Sequence, residues 1–243
     1  MKEFVIRVRY GGLGDHLLWS HLPRIAKTVG GYEKVYISNF SEYRHPDYKK
    51  LVWELNPLVD GFCDRDGECP AITTIMPGAN FLDMLMLAFG LDDGSRFHEP
   101  EIFYSPRIIT QLQDKCVFDP NYASHTGAIS SRKLIRYLDE SGPVDLQMPT
   151  RVKSYGARRD VPILDSKGVF HYCDVIASCR RFYCLTSGGA TLAAALRKPS
   201  TVFYGYGVSR CFHHSPQHKY VDVSMAFAKL MYPAVRILDK IRC

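Results

Sequence analysis

The residue in this chain best suited to moving a proton is an acid at the end of a glycine-rich turn. The turn, Tyr10-Gly11-Gly12-Leu13-Gly14-Asp15, follows the apolar stretch 4–9 and precedes a segment with Leu18, Leu22, Ile25 and Val29 on one helical face. A carboxylate at that point projects from the carboxyl edge of a parallel sheet. There it can take the proton of an attacking hydroxyl group. It can equally satisfy the free amides at the helix start. Gly11, Gly12 and Gly14 let the backbone turn sharply and approach a substrate, or are turn glycines and nothing more.

A second strand, turn and helix lies near the other end. Phe182-Tyr183-Cys184-Leu185 leads into Thr186-Ser187-Gly188-Gly189-Ala190, and the helix runs from there to Leu196. Exposed amides and a helix dipole at Thr186, Ser187, Gly188, Gly189 and Ala190 suit a diphosphate, because a side chain at the glycines would hold it away. A tight turn before a small-residue packing helix explains the same residues. The polar turn Ser124-His125-Thr126-Gly127, with Ser130, Ser131, Arg132 and Lys133 beyond it, is a further candidate for phosphate or base contact, or a solvated cap.

Two other groupings carry less. His213, His214 and His218 lack a nearby acid or cysteine pattern and read as polar surface rather than metal ligands. Asp64-Arg65-Asp66 has the form of a metal-binding acid pair, but the strand before it is short and a solvated turn is the better reading. No metal is therefore expected.

The elements that must position these groups alternate. Strands are predicted at 4–9, 34–38, 58–62, 116–120, 182–185 and 200–204. Helices are predicted at 13–29, 48–55, 80–89, 132–140, 170–179 and 190–196. Strand–helix alternation is the grammar of parallel sheets with right-handed crossovers. A Pro- and Gly-containing stretch at 94–106 approaches a linker, which divides the chain into units 1–110 and 111–243. Region 143–168 yields no clear elements. Segment 225–241 has apolar residues near helical spacing and reads as a closing helix, kinked at Pro233.

The bulk numbers agree with a globular enzyme. The 243 residues are 46% hydrophobic and 23% charged, which excludes a disordered chain. The net charge of +6 favours anionic partners such as nucleotide diphosphates, nucleic acid or acidic membrane surfaces. The eight cysteines form no C-x-x-C pair, the amino terminus has no signal-peptide layout, and the longest apolar stretch, 81–91, is too short to span a bilayer. A cytoplasmic protein with free thiols and no transmembrane segment is expected.

Several of these segments together resemble the ADP-heptose lipopolysaccharide heptosyltransferases, the family 9 glycosyltransferases. Gly12-Leu13-Gly14-Asp15 with Leu22-Pro23 resembles the family's opening. Asn56-Pro57-Leu58-Val59-Asp60 is similar to its Pro-x-Val-Asp segment, and 186–199 to its Asp-Ser-Gly block and the helix that follows. Thr186 stands where the family has its acid, and Thr191 where it has a histidine. The family's basic residue early in the second half has no clean counterpart, Arg132 and Lys133 being only nearby. The resemblance implies an α/β protein of the GT-B type: two Rossmann-like parallel-sheet halves facing a cleft, the acceptor held by the first and the nucleotide-sugar donor by the second. It also implies that Asp15 is the base and that no metal or other cofactor is obligatory.

The expected activity is thus transfer of a sugar from a nucleotide-diphosphate sugar to a hydroxyl acceptor, inverting and metal-independent, the acceptor being a glycan or lipid-linked saccharide. Two alternatives stay open. One is a DNA-modifying glycosyltransferase acting on a hydroxylated base; the other is a non-catalytic nucleotide- or sugar-binding protein.

Overall fold

The computed structural model describes residues 2–67, 72, 77–123, 126–151, 153–228 and 230. In the first half, β1 (Glu3–Ile6), β2 (Lys34–Ser38) and β3 (Gly61–Cys63) form a parallel sheet in that order. Phe4 lies opposite Val35, and Ile37 opposite Phe62. The helix expected over 13–29 is two helices, α1 (Leu13–Trp19) and α2 (Leu22–Thr28). Pro23, second in α2, lacks an amide hydrogen and its ring clashes with the carbonyl four residues back, so α1 cannot run through it. The Ser20 hydroxyl at the break donates to Leu17 O (2.7 Å).

The helix predicted at 48–55 starts earlier, as α3 (Pro46–Lys49) capped by the His45 ring, and continues into one π-helical turn, Lys50–Glu54. α4 (Phe81–Ala88) is capped by the Asn80 side chain and stops at Gly90, whose φ of +68° belongs to glycine.

The second half is a five-stranded, wholly parallel sheet. Its strands are β4 (Cys116–Asp119), β5 (Leu146–Gln147), β6 (Arg181–Leu185), β7 (Ser200–Tyr204) and β8 (Lys219–Asp222), in the order β5-β4-β6-β7-β8. α5 (Ser131–Ser141), α6 (Val169–Ser178) and α7 (Gly188–Ala195) connect them. Sequence patterning did not anticipate β5 or β8. The closing helix expected over 225–241 falls mostly outside the described residues.

Alternate strand residues serve two cores. Val117, Phe182 and Cys184 enter a cluster that runs without a break into the first half, through Leu192 and Leu17 to Ile6 and Phe4. Phe118, Tyr183 and Leu185 face the other way, onto Leu134, Leu138 and Phe203. A sheet covered on both faces is what an all-parallel arrangement requires. The connection between halves is pinned at each end. Glu101 N–H donates to Ser20 Oγ (2.7 Å), the Tyr104 hydroxyl to Asp174 (2.8 Å) and Ile109 N–H to Ser178 Oγ (2.8 Å). Among the described residues Cys63, Cys116, Cys173, Cys179, Cys184 and Cys211 are free thiols.

Candidate active site

The two glycine-rich turns meet. α1 and α7 pack against each other, and their first turns touch directly. A Cβ added to Gly14 would lie 3.2 Å from Gly188 Cα, and one added to Gly188 would lie 3.1 Å from Gly14 N. The room that Gly188 leaves is therefore filled by Gly14 of the first half. None of Gly11, Gly12 and Gly14 has a positive φ. They admit neighbours instead: Gly11 the backbone of Arg44, at 2.9 Å from a Cβ there, and Gly12 the Asp15 carboxylate, at 2.6 Å.

Asp15 is the third residue of α1, half-buried, and its Oδ2 accepts the Gly12 N–H (3.1 Å). Burial raises its pKa above the ordinary carboxylate value, while the Gly12 amide and the Arg44 charge pull the other way. A carboxylate so placed is a better proton acceptor near neutral pH than a free aspartate.

His16, the next residue, anchors this arrangement from below. Trp53 Nε1–H donates to its Nδ1 (2.9 Å), so its Nε2 carries the hydrogen that reaches Glu42 O (2.8 Å). The ring also stacks on Tyr43 at 4.4 Å. Burial pushes its pKa down to about 4, keeping it neutral. Glu42 N–H in turn donates to Val8 O (3.1 Å) and Arg44 N–H to Gly11 O (2.9 Å). The segment carrying Arg44 is thus held along the turn that carries Asp15.

On the other side, β6 delivers Thr186 and Ser187. Ser187 caps α7, its hydroxyl accepting from Gly189 N–H (3.2 Å). Thr186 is buried, with its hydroxyl donating to Phe203 O (3.3 Å), and Thr191 donates to Ser187 O (3.2 Å). Ala190 is buried in the first turn of α7. Strand order reverses between β4 and β6, and open α/β sheets bind ligands outside the carboxyl ends of their strands at such a point.

β4 ends there in Asp119, which sequence reasoning passed over. Its Oδ1 accepts from Asn121 N–H (3.0 Å) and Nδ2 (2.7 Å), and its Oδ2 from the Tyr172 hydroxyl. A Cβ on Gly189 would overlap that hydroxyl and lie 3.2 Å from Asp119 Oδ2. An acid closing the first strand of the second half was the available signal. Tyr172 carried none, because only the packing of α6 brings it to the sheet edge.

Of the polar turn, Ser124 and His125 lie outside the described residues. Thr126 is fully buried; its carbonyl accepts the N–H of Gly205, the residue after β7 (2.9 Å). Arg132 and Lys133 are exposed on the first turn of α5, and Lys133 Nζ donates to Ser224 O (2.8 Å).

The weaker groupings resolve into structure. Asp66 pairs with Arg7 (2.7 Å) and Asp64 accepts from Asn39 (2.6 Å), in an exposed turn. His213 stacks on Tyr220 at 3.8 Å, His214 is buried and His218 Nε2 donates to Ala190 O (3.1 Å). Among the described residues no three acid, histidine or cysteine side chains are grouped to hold a metal. No helix among them is long and apolar enough to cross a membrane. A surface cavity of about 360 Å³ beside Val144, Arg158 and Asp160 lies near the amino end of β5, away from the junction of α1 and α7.

No family model matches the sequence, and no curated protein matches it. Solved structures do match in fold. A family 9 glycosyl transferase from Veillonella parvula superposes with a TM-score of 0.61 at 11% identity, covering 97% of this chain and 89% of that one. The iron-containing dodecameric glycosyltransferase TibC from enterotoxigenic E. coli gives 0.62 at 14% identity, over 90% of this chain and 63% of that one. The E. coli heptosyltransferase WaaC with ADP gives 0.53 at 12% identity over the full length of both. The chain has the GT-B fold of the family 9 glycosyltransferases.

Proposed function

We propose that this protein is a glycosyltransferase that moves a sugar from a nucleotide-diphosphate sugar to a hydroxyl acceptor, with inversion and without a metal. The observation that carries this reading is the meeting of Asp15 and the α7 amino terminus, joined through Gly14 and Gly188 at the carboxyl ends of both sheets. Asp15 takes the acceptor hydroxyl proton as the oxygen attacks the anomeric carbon. The bond from that carbon to the diphosphate breaks, and the diphosphate leaves with the electron pair. Its charge falls near Ser187, Gly188 and Gly189, where the helix dipole favours an anion. ADP bound to WaaC supports an adenine nucleotide as the first donor to test. A glycan or lipid-linked saccharide is the acceptor we favour.

One observation favours a non-catalytic nucleotide-binding protein instead. The Thr186 and Thr191 hydroxyls, at the positions of the family's acid and histidine, are both spent on backbone carbonyls. A thermal-shift screen of ADP-, UDP-, GDP- and CDP-sugars, followed by release of the free nucleotide diphosphate from each hit, separates the two. Binding with turnover supports transfer; binding without turnover on any hydroxyl acceptor supports the second reading; no binding at all overturns both.

A further inference from the structure

Arg44 reaches Asp15 without touching it. Its backbone is fixed by the hydrogen bond to Gly11 O (2.9 Å), and its stem lies over Gly11, Cγ being 3.2 Å from where a Cβ would stand. The guanidinium continues over Gly12. Nη1 is 3.9 Å from the Cβ position of that residue, and Asp15 Oδ2 is 2.6 Å from the same point. Among the described residues no hydrogen bond or ion pair engages this exposed guanidinium, and Asp15 Oδ1 accepts none.

We infer that Arg44 is the positioning residue of the base: its guanidinium, held across Gly12, sets a positive charge beside the Asp15 carboxylate while leaving Oδ1 open to the acceptor hydroxyl. This rests on the reading of Asp15 as the base. A direct ion pair would occupy the lone pairs that must receive the proton. A guanidinium one glycine away favours the charged form and blocks nothing.

The surroundings leave this role to Arg44. The neighbouring His16 is neutral, with both ring nitrogens engaged. α7, packed on α1, has no titratable side chain in Gly188–Ala195. The remaining influences are burial, the largest, which raises the pKa, and the Gly12 amide, which lowers it. The direction of the Arg44 effect on Asp15 agrees, since it works against the rise caused by burial.

The test is the titration of Asp15 in the full chain, followed by NMR on protein carrying carboxyl-labelled aspartate, with Asp15→Asn to assign the signal. Arg44→Gln keeps the backbone hydrogen bond and should move the midpoint up by about half a pH unit or more. Arg44→Lys should return most of the shift. An unmoved midpoint in Arg44→Gln, or a shift that lysine does not reverse, overturns the inference. The readout needs neither donor nor acceptor. Absent turnover with an intact titration shift would count against the transferase reading alone. In an active enzyme, the acid limb of kcat/KM should move with the NMR midpoint.

Discussion

Gly14 and Gly188 face each other across the junction of the two halves, a Cβ on either lying only 3.1–3.2 Å from the other's backbone. The contact makes both glycines structural partners before any ligand arrives. Gly188→Val should drive α1 and α7 apart and cost about 1–3 kcal/mol, the scale of an overpacked interface. Chemical denaturation measures this. A variant with unchanged stability and no nucleotide binding would show instead that the space at Gly188 belongs to the ligand.

Asp15→Asn keeps the size of the side chain and much of its capping ability but removes the base. Turnover should fall by about 100-fold or more with donor affinity nearly intact. Loss of the cap by itself would appear as about 1 kcal/mol of stability. Near-normal turnover in the folded variant would place the base elsewhere.

Gly189 sits under the Tyr172–Asp119 bond, and a methyl group there overlaps the Tyr172 hydroxyl. Gly189→Ala should therefore destabilise the protein, and Tyr172→Phe, which removes that hydroxyl, should relieve part of the cost. A double-mutant cycle in denaturant reads the coupling. Additive effects would mean that the glycine is required for another reason.

Stability should peak near neutral pH. His16, His21 and His214 are buried, with pKa values lowered to about 4, 3 and 3. The unfolded chain binds protons at these sites first, so their contribution is full above about pH 6.5 and lost as the pH falls toward the folded values. The slope is at most about 1.4 kcal/mol per pH unit for each histidine. His98 behaves oppositely. Hydrogen bonds to Asp83 (2.6 Å) and Asp93 (3.0 Å) raise its pKa, so its contribution is full below about pH 6.5 and fades as the pH rises through the folded value. Melting temperatures from pH 4 to 9 test both limbs, and a flat acid limb would refute the burial argument.

Chelation should leave turnover unchanged. Activity abolished by a chelator and restored by manganese would instead implicate Asp64 and Asp66, which would have to leave Asn39 and Arg7 to bind the ion.

Much of the scaffold was legible because its signals are local. The strands Lys34–Ser38 and Ser200–Tyr204 stand where apolar, β-branched runs placed them, and α4 falls within the 80–89 expected for it. The apolar spacing of Leu18, Leu22, Ile25 and Val29 runs across Pro23, so two helices were read as one. β5 has two residues and β8 a partly exposed face, leaving too little periodicity to detect.

By itself, the amino-acid sequence determined the parallel α/β plan and the acid at the first glycine turn, since periodicity and turn chemistry act within a few residues. Tertiary structure decided what those residues face. Gly14 lies beside Gly188, Arg44 beside Asp15, and Tyr172 beneath Gly189, across separations of 174, 29 and 17 residues. Such pairs carry no mutual signal in one chain, because tertiary packing alone brings them together, within one half for Arg44–Asp15 and Tyr172–Gly189 and across the two sheets for Gly14–Gly188. The contact that shapes the site is a property of that packing, so the glycines announce a close approach without naming what approaches.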